Sequence, residues 1–244
     1  MKHIINLIHI MRMFKKFYLL IPLTACALIL SSCISINRNI SINKDGSGTE
    51  IMTIKFDKMF YSMMASMSTL MDSSRRHGYL DSLYSDEVFM DKTKDNYDST
   101  PGIKVNDIFS VKDPDSSNSF VIKYEFDSLI KIGSSLDNIK TSGPAADQTT
   151  VTYYREGNNI LFNYIYQENT PPGLQNNDSV NAEMRKGMAE LFKGGNFNFE
   201  IQFPYEVVSS NANSSEGGKL KWSYSISELM SMGQMKLEAV LKEY

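Results

Sequence analysis

Few side chains in this sequence are of the kinds that do chemistry, and their placement narrows the choice further. Its 244 residues contain two cysteines and three histidines. Cys26 lies within an apolar run and Cys33 directly after it, while His3 and His9 precede it, which leaves His77 as the one histidine beyond residue 33. In Arg75-Arg76-His77-Gly78 that histidine suits a helix C-terminal cap better than a catalytic base. Triads and metal sites built on nitrogen and sulfur therefore lack their members. Asp113-Pro114-Asp115 lacks the alternating oxygen ligands and the glycine of a calcium loop. Gly46-Ser47-Gly48 falls between two strands, with no helix following where a phosphate cradle needs one. No two carboxylates are framed so as to raise one pKa, as glycoside chemistry requires. We expect no catalytic residue, no metal and no cofactor.

Methionine is the exception to this sparseness. The chain has 15, and Met59, Met63, Met67 and Met71 fall four apart, with Met64 among them. Three chemistries suit such a row: core packing, the adaptable wall of an apolar ligand cavity, and soft copper(I) ligation through Met59, Met63 and Met67. No histidine or cysteine backs the third.

The elements that must position these residues begin with a leader. Residues 17–30 form a 14-residue apolar run behind Arg12, Lys15 and Lys16, followed by Ser31 and Ser32. A membrane span needs about 20 apolar residues, so this run is too short. A basic segment, a short apolar segment and small residues together describe a secretory signal peptide over residues 1–32, with Met11 and Met13 as alternative starts. Its last residues, Leu30-Ser31-Ser32-Cys33, resemble the lipobox of bacterial lipoproteins. The resemblance implies cleavage between Ser32 and Cys33, acylation of the Cys33 thiol, palmitate among its chains, and a soluble domain tethered through Cys33. Two or more acyl chains anchor stably where one holds marginally. Removal of residues 1–32 also removes Lys2, Arg12, Lys15 and Lys16 and no acid from a balance of 25 basic to 28 acidic residues. The remainder is acidic and argues against nucleic-acid binding. With Cys26 discarded, no disulfide can form within the chain.

Beyond Cys33, alternation predicts strands at 34–42 and 51–57 around the Asp45-Gly46 turn. A helix is predicted over 57–74 behind an Asp57 N-cap, and a shorter one over 80–90, then a polar loop over 91–102. Strands follow at 103–111, 120–126, 151–155 and 160–167, with a helical turn at 129–136. A helix over 178–192 precedes strands at 197–203, 205–208, 220–225 and 235–241. The stretch 209–218 reads as a turn and 226–232 as a short helix. These elements predict one α+β domain over 33–244, a curved antiparallel sheet covered on one face by the helices at 58–93 and 178–193. The row of methionines from 59 to 71 is expected to face that sheet.

The order of lipobox, strand, Asn-x-Asp-Gly-Ser-Gly turn, strand, methionine-rich helix and Leu220-Lys221-Trp222-Ser223 strand resembles small lipoproteins of Bacteroidetes. More distantly it is similar to mycobacterial lipoproteins of the LppM type, which implies a periplasmic α+β domain whose concave sheet holds lipid-like ligands. Four Asp-Ser-containing tripeptides resemble the O-glycosylation acceptor of Bacteroidetes, and Ser99 in Asp98-Ser99-Thr100 is the best placed. The expectation is a non-catalytic envelope lipoprotein, on the outer membrane in preference to the inner, that binds a hydrophobic or lipid-like component. The alternative is a structural or scaffolding subunit of an envelope protein complex.

Overall fold

Every second residue of β1 (Ile34–Ile42) and β2 (Gly48–Phe56) is apolar or points to a common face, and the two strands pair antiparallel from Ile34 with Phe56 to Ile42 with Gly48. A computed structural model describes residues 34–69, 76–78, 85–114, 117–133, 148–167, 192, 194–232 and 234–243. The turn between the strands is held by Asp45, whose Oδ1 accepts from the Ser47 amide at 2.9 Å and the Ser47 hydroxyl at 2.6 Å. Gly46 there takes φ +85°, a conformation that disfavours any residue with a Cβ. Gly48 answers a different need: a Cβ would run into the Ser41 carbonyl and the Phe126 ring.

The remaining strands are β3 (Ile103–Lys112), β4 (Asn118–Phe126), β5 (Gln148–Glu156), β6 (Asn159–Gln167), β7 (Asn196–Gln202), β8 (Glu206–Ser210), β9 (Ser214–Glu216), β10 (Lys219–Ser225) and β11 (Gln234–Lys242). They form two sheets, not the single one predicted. Seven strands run in the order β3-β4-β2-β1-β7-β10-β9 and four in the order β5-β6-β11-β8. The sheets share a core. Tyr164 of β6 packs on Phe199 of β7 at 5.0 Å between ring centroids, and Phe162 on Trp222 of β10 at 6.3 Å. Nor is the larger sheet purely antiparallel, because β1 and β7 run parallel, Ile36 beside Phe197 and Ile40 beside Ile201. Parallel neighbours require a long crossover, and local alternation carries no trace of it.

The α-helices with both ends described are α1 (Lys58–Ser68), α2 (Asp86–Asp98) and α3 (Ile226–Met232), and a 3-10 turn lies at Leu129–Lys131. Asp57 caps α1 as expected, its Oδ1 accepting from the Phe60 amide at 2.9 Å. The predicted loop at 91–102 is mostly α2. Its composition is polar, but Phe89, Thr93 and Tyr97 recur every four residues, and Ser85 caps it through the Val88 amide. Phe89 packs on Phe120 at 4.3 Å and Tyr97 on Tyr124 at 5.1 Å. The helices therefore do not cover one face of a sheet as expected. The four-stranded sheet lies against the inner face of the larger one, and α2 adds to it beside β3 and β4. The helix predicted at 178–193 lies outside the described residues. Within 209–218 the short strand β9 interrupts the turn. Residues Cys33–Tyr244 make one compact unit.

Candidate functional site

The inward-pointing positions of β1 and β2 should all be apolar, and two are not. Arg38 follows Ile34 and Ile36 and precedes Ile40 and Ile42, while Glu50 precedes Met52, Ile54 and Phe56. Register sets Arg38 beside Met52 and Ile40 beside Glu50, so the two charges lie diagonally on one face. Both side chains are fully buried. Arg38 Nε donates to Glu50 Oε1 at 2.5 Å and Nη2 to Oε2 at 2.8 Å, a bidentate pair.

The pair is sealed by groups from both sheets. Arg38 Nη1 donates to the Tyr164 hydroxyl at 3.2 Å, and Nη2 also to the Ile132 carbonyl at 3.1 Å. The Tyr124 hydroxyl donates to Glu50 Oε2, and the Phe199 ring lies 4.7 Å from the Arg38 guanidinium carbon. Burial works against the Arg38 charge, but the Glu50 carboxylate together with Tyr164 and Tyr124 outweighs it and holds the arginine pKa well above its ordinary value. Burial and the Glu50 charge push Tyr124 well up, and burial raises Tyr164 to about 12. Each Glu50 oxygen has a donor and no solvent reaches the cluster. This is a clasp between sheets and has no open position for a substrate. The sequence holds its signal, since both charges stand at core positions of an alternating pattern, although their spacing is not that of a catalytic motif.

A pH titration checks the clasp. An unfolded tyrosine ionises near pH 10. A raised pKa in the folded state means that the stability is fully present below about pH 10 and is lost as pH climbs through about 12. Following phenolate absorbance, the exposed members of the 13 tyrosines should ionise first. The last should appear only as Trp222 emission shifts to its unfolded position. A single step for all of them with emission unchanged would contradict the buried placement.

Neither Met59 nor Met63 is among the residues lining the two clefts described below. Met59 is 58% exposed and Met63 is half-buried. The Met67 side chain and all of Met71 lie outside the described residues. A cleft of about 520 Å³ does open beside α1, but it is lined by Lys58, Tyr61 and Ser62 of that helix with Asp86, Lys112, Asp113, Ser117 and Asn118. It is polar: Asn118 Nδ2 donates to Asp86 Oδ1 at 2.5 Å, and Ser117 Oγ to Asp113 Oδ2 at 2.9 Å. Packing of α1 falls instead to Phe60, stacked on Phe56 at 4.5 Å. A second cleft, of about 470 Å³, crosses β6, β11 and β8 with Asn163, Ser209, Asn211 and Glu238 among its walls. Among the described residues no group of three or more His, Cys, Asp or Glu side chains is placed to hold a metal ion. Ser99 stands exposed at the C-terminal cap of α2, not in a loop, and its hydroxyl donates to the Asn96 carbonyl at 2.8 Å. Ser32 and Cys33 lie outside the described residues.

Comparison with known proteins adds a distant likeness of form. No family model matches the chain, and no curated protein sequence does. Among solved structures, the folded domain of the LppM protein of Mycobacterium tuberculosis is similar at a TM-score of 0.42 and 11% identity, over 86% of this chain and 90% of that one. The Fcho1 Mu homology domain of Danio rerio, solved with a bound Eps15 peptide, is similar at a TM-score of 0.23 and 9% identity, over 86% of this chain and 77% of that one.

Proposed function

We propose that this chain is a cell-envelope lipoprotein of the Bacteroidetes kind, lipid-anchored through Cys33, whose folded part is non-catalytic and serves as an interaction module of an envelope assembly. The observation that carries the reading is the sequence Leu30-Ser31-Ser32-Cys33 behind a basic and apolar leader, directly followed by Ile34, the first residue of β1. Among the described residues no helix is long and apolar enough to cross a membrane, which suits attachment through acyl chains. The scaffolding role is favoured over a lipid-like ligand held inside the domain. The faces between the sheets are filled by Trp222, Phe199, Phe162 and Tyr164, all at most 1% exposed. The cleft beside α1 is lined by polar and charged side chains, and the one across β6, β11 and β8 mixes Leu161, Phe162, Ala239 and Val240 with Asn163, Asn211 and Glu238. An outer-membrane location and glycosylation at Ser99 belong to the same reading.

The test is processing in a host that acylates lipoproteins. The full chain should partition into detergent and yield a mature form whose mass corresponds to acylated Cys33 at its N-terminus. Cys33→Ala should accumulate as an unprocessed or released form. Equal mobility and equal partitioning of the two would overturn the proposal, and membrane fractionation of the wild type reports inner against outer membrane.

A further inference from the structure

Cys33 is joined to Ile34, the first residue of β1, and consecutive Cα atoms stand about 3.8 Å apart. An anchor on Cys33 thus has no linker. Whatever surrounds the start of β1 must lie at the membrane surface. Register identifies that rim. Val111, Ser119, Lys55, Ser35, Asn196 and Ser225 form one row across six strands, one residue in from the anchor end. From this row α1 departs just beyond Phe56 and α3 directly after Ser225, and Asp86 at the start of α2 is tied to it through Asn118.

Exposed apolar side chains gather on the same rim. Of the eight large hydrophobic residues exposed among those described, Met59 (58%), Val88 (52%), Val111 (42%) and Met232 (52%) belong to it. Each ends or begins an element that meets the row. The opposite end is formed by the Asn43–Ser47 turn, the Tyr205 hydroxyl donating to the Lys44 carbonyl, and the Arg155–Glu243 ion pair. Resting on the lipoprotein reading, we propose that the rim bearing Met59, Val88, Val111 and Met232 sits in the headgroup–acyl boundary of the bilayer that holds the anchor. Apolar side chains that reach a few ångströms into this zone add to the acyl anchor by leaving water. The proposed contact is apolar in character; Lys55 lies 3.0 Å from Asp113 and the more exposed Lys112 3.9 Å from Asp86. The domain therefore stands on the membrane on this rim, with the β1–β2 turn pointing away.

The experiment uses the acylated full chain reconstituted into phosphatidylcholine vesicles, with and without brominated acyl chains, which quench tryptophan emission on contact. Met59→Trp and Val111→Trp place reporters on the rim, Val208→Trp and Tyr154→Trp place them on the smaller sheet, and buried Trp222 supplies the background. All four positions are exposed, so the fold tolerates them, and an unchanged thermal midpoint checks this. The rim reporters should lose roughly half of their emission or more, as immersion of an apolar face implies, in low and high salt alike. The Val208 and Tyr154 reporters should be unaffected. Sedimentation with vesicles but equal quenching at all positions overturns the rim contact and leaves the anchor standing. Quenching that vanishes in high salt overturns its apolar character. Failure to sediment at all overturns both anchor and rim.

Discussion

Arg38→Ala is expected to lower the unfolding free energy by about 3–5 kcal/mol, because it leaves the Glu50 carboxylate buried with the Tyr124 hydroxyl as its remaining partner. The loss has two parts: two charge-assisted hydrogen bonds disappear, and an anion stays behind without water or counter-charge. The second part dominates. Consequently the double variant Arg38→Met, Glu50→Leu should be more stable than the single one, since it removes both charges and refills the space with apolar atoms. Equilibrium unfolding in urea followed by Trp222 emission measures both. A loss below about 1 kcal/mol for Arg38→Ala, the size expected for an exposed ion pair, would mean that water reaches the cluster. Should Arg38→Ala not fold, recovery of the fold in the double variant makes the same point.

Trp222→Ala is the second large effect, again about 3–5 kcal/mol. The indole is fully buried, with Phe199 of its own sheet and Phe162 of the other each at 6.3 Å, so truncation opens a cavity at the meeting of the two layers. Trp222→Phe separates packing from hydrogen bonding. It keeps most of the ring volume but loses the bond from Trp222 Nε1 to Asn211 Oδ1 at 2.7 Å. Asn211 Oδ1 would still accept from the Glu238 amide at 2.8 Å, so the expected loss is about 0.5–1.5 kcal/mol. Thermal unfolding followed by circular dichroism distinguishes the two variants. Equal losses for alanine and phenylalanine would assign the stability to the hydrogen bond and not to the interlayer contact.

These two sites also divide what was legible in the chain from what was not. Alternation over 34–42, 51–57, 197–203 and 235–241 determined strands and the face each would bury, because side-chain direction in a strand is a local property of period two. The Asp45-Gly46 turn was equally local, since the need for positive φ is met by glycine at that position. The pattern even held the two charged residues of the clasp, Arg38 and Glu50, at positions reserved for the core. The helix expected over 80–90 ends eight residues before α2 does at Asp98, because the inward row of α2 is narrow, Phe89, Thr93 and Tyr97, amid charged neighbours, and its stability comes from packing on Phe120 and Tyr124.

Tertiary structure decided the rest. Which strands share a sheet, and that β7 runs parallel beside β1, depend on pairings between residues distant in sequence, Ser35 with Asn196 among them, where the hydrogen-bonding groups of any two strands are chemically alike. Only the burial of Phe199, Trp222, Phe162 and Tyr164 against one another selects the arrangement with two layers. The clasp follows from the same choice: Glu50 is twelve residues from Arg38, but Ile132 and Tyr164 are 94 and 126 away. The methionine row shows the converse. Its spacing gave it a common helical face, yet a face acquires a role only from what packs on it, and the fold left Met59 exposed at the start of α1.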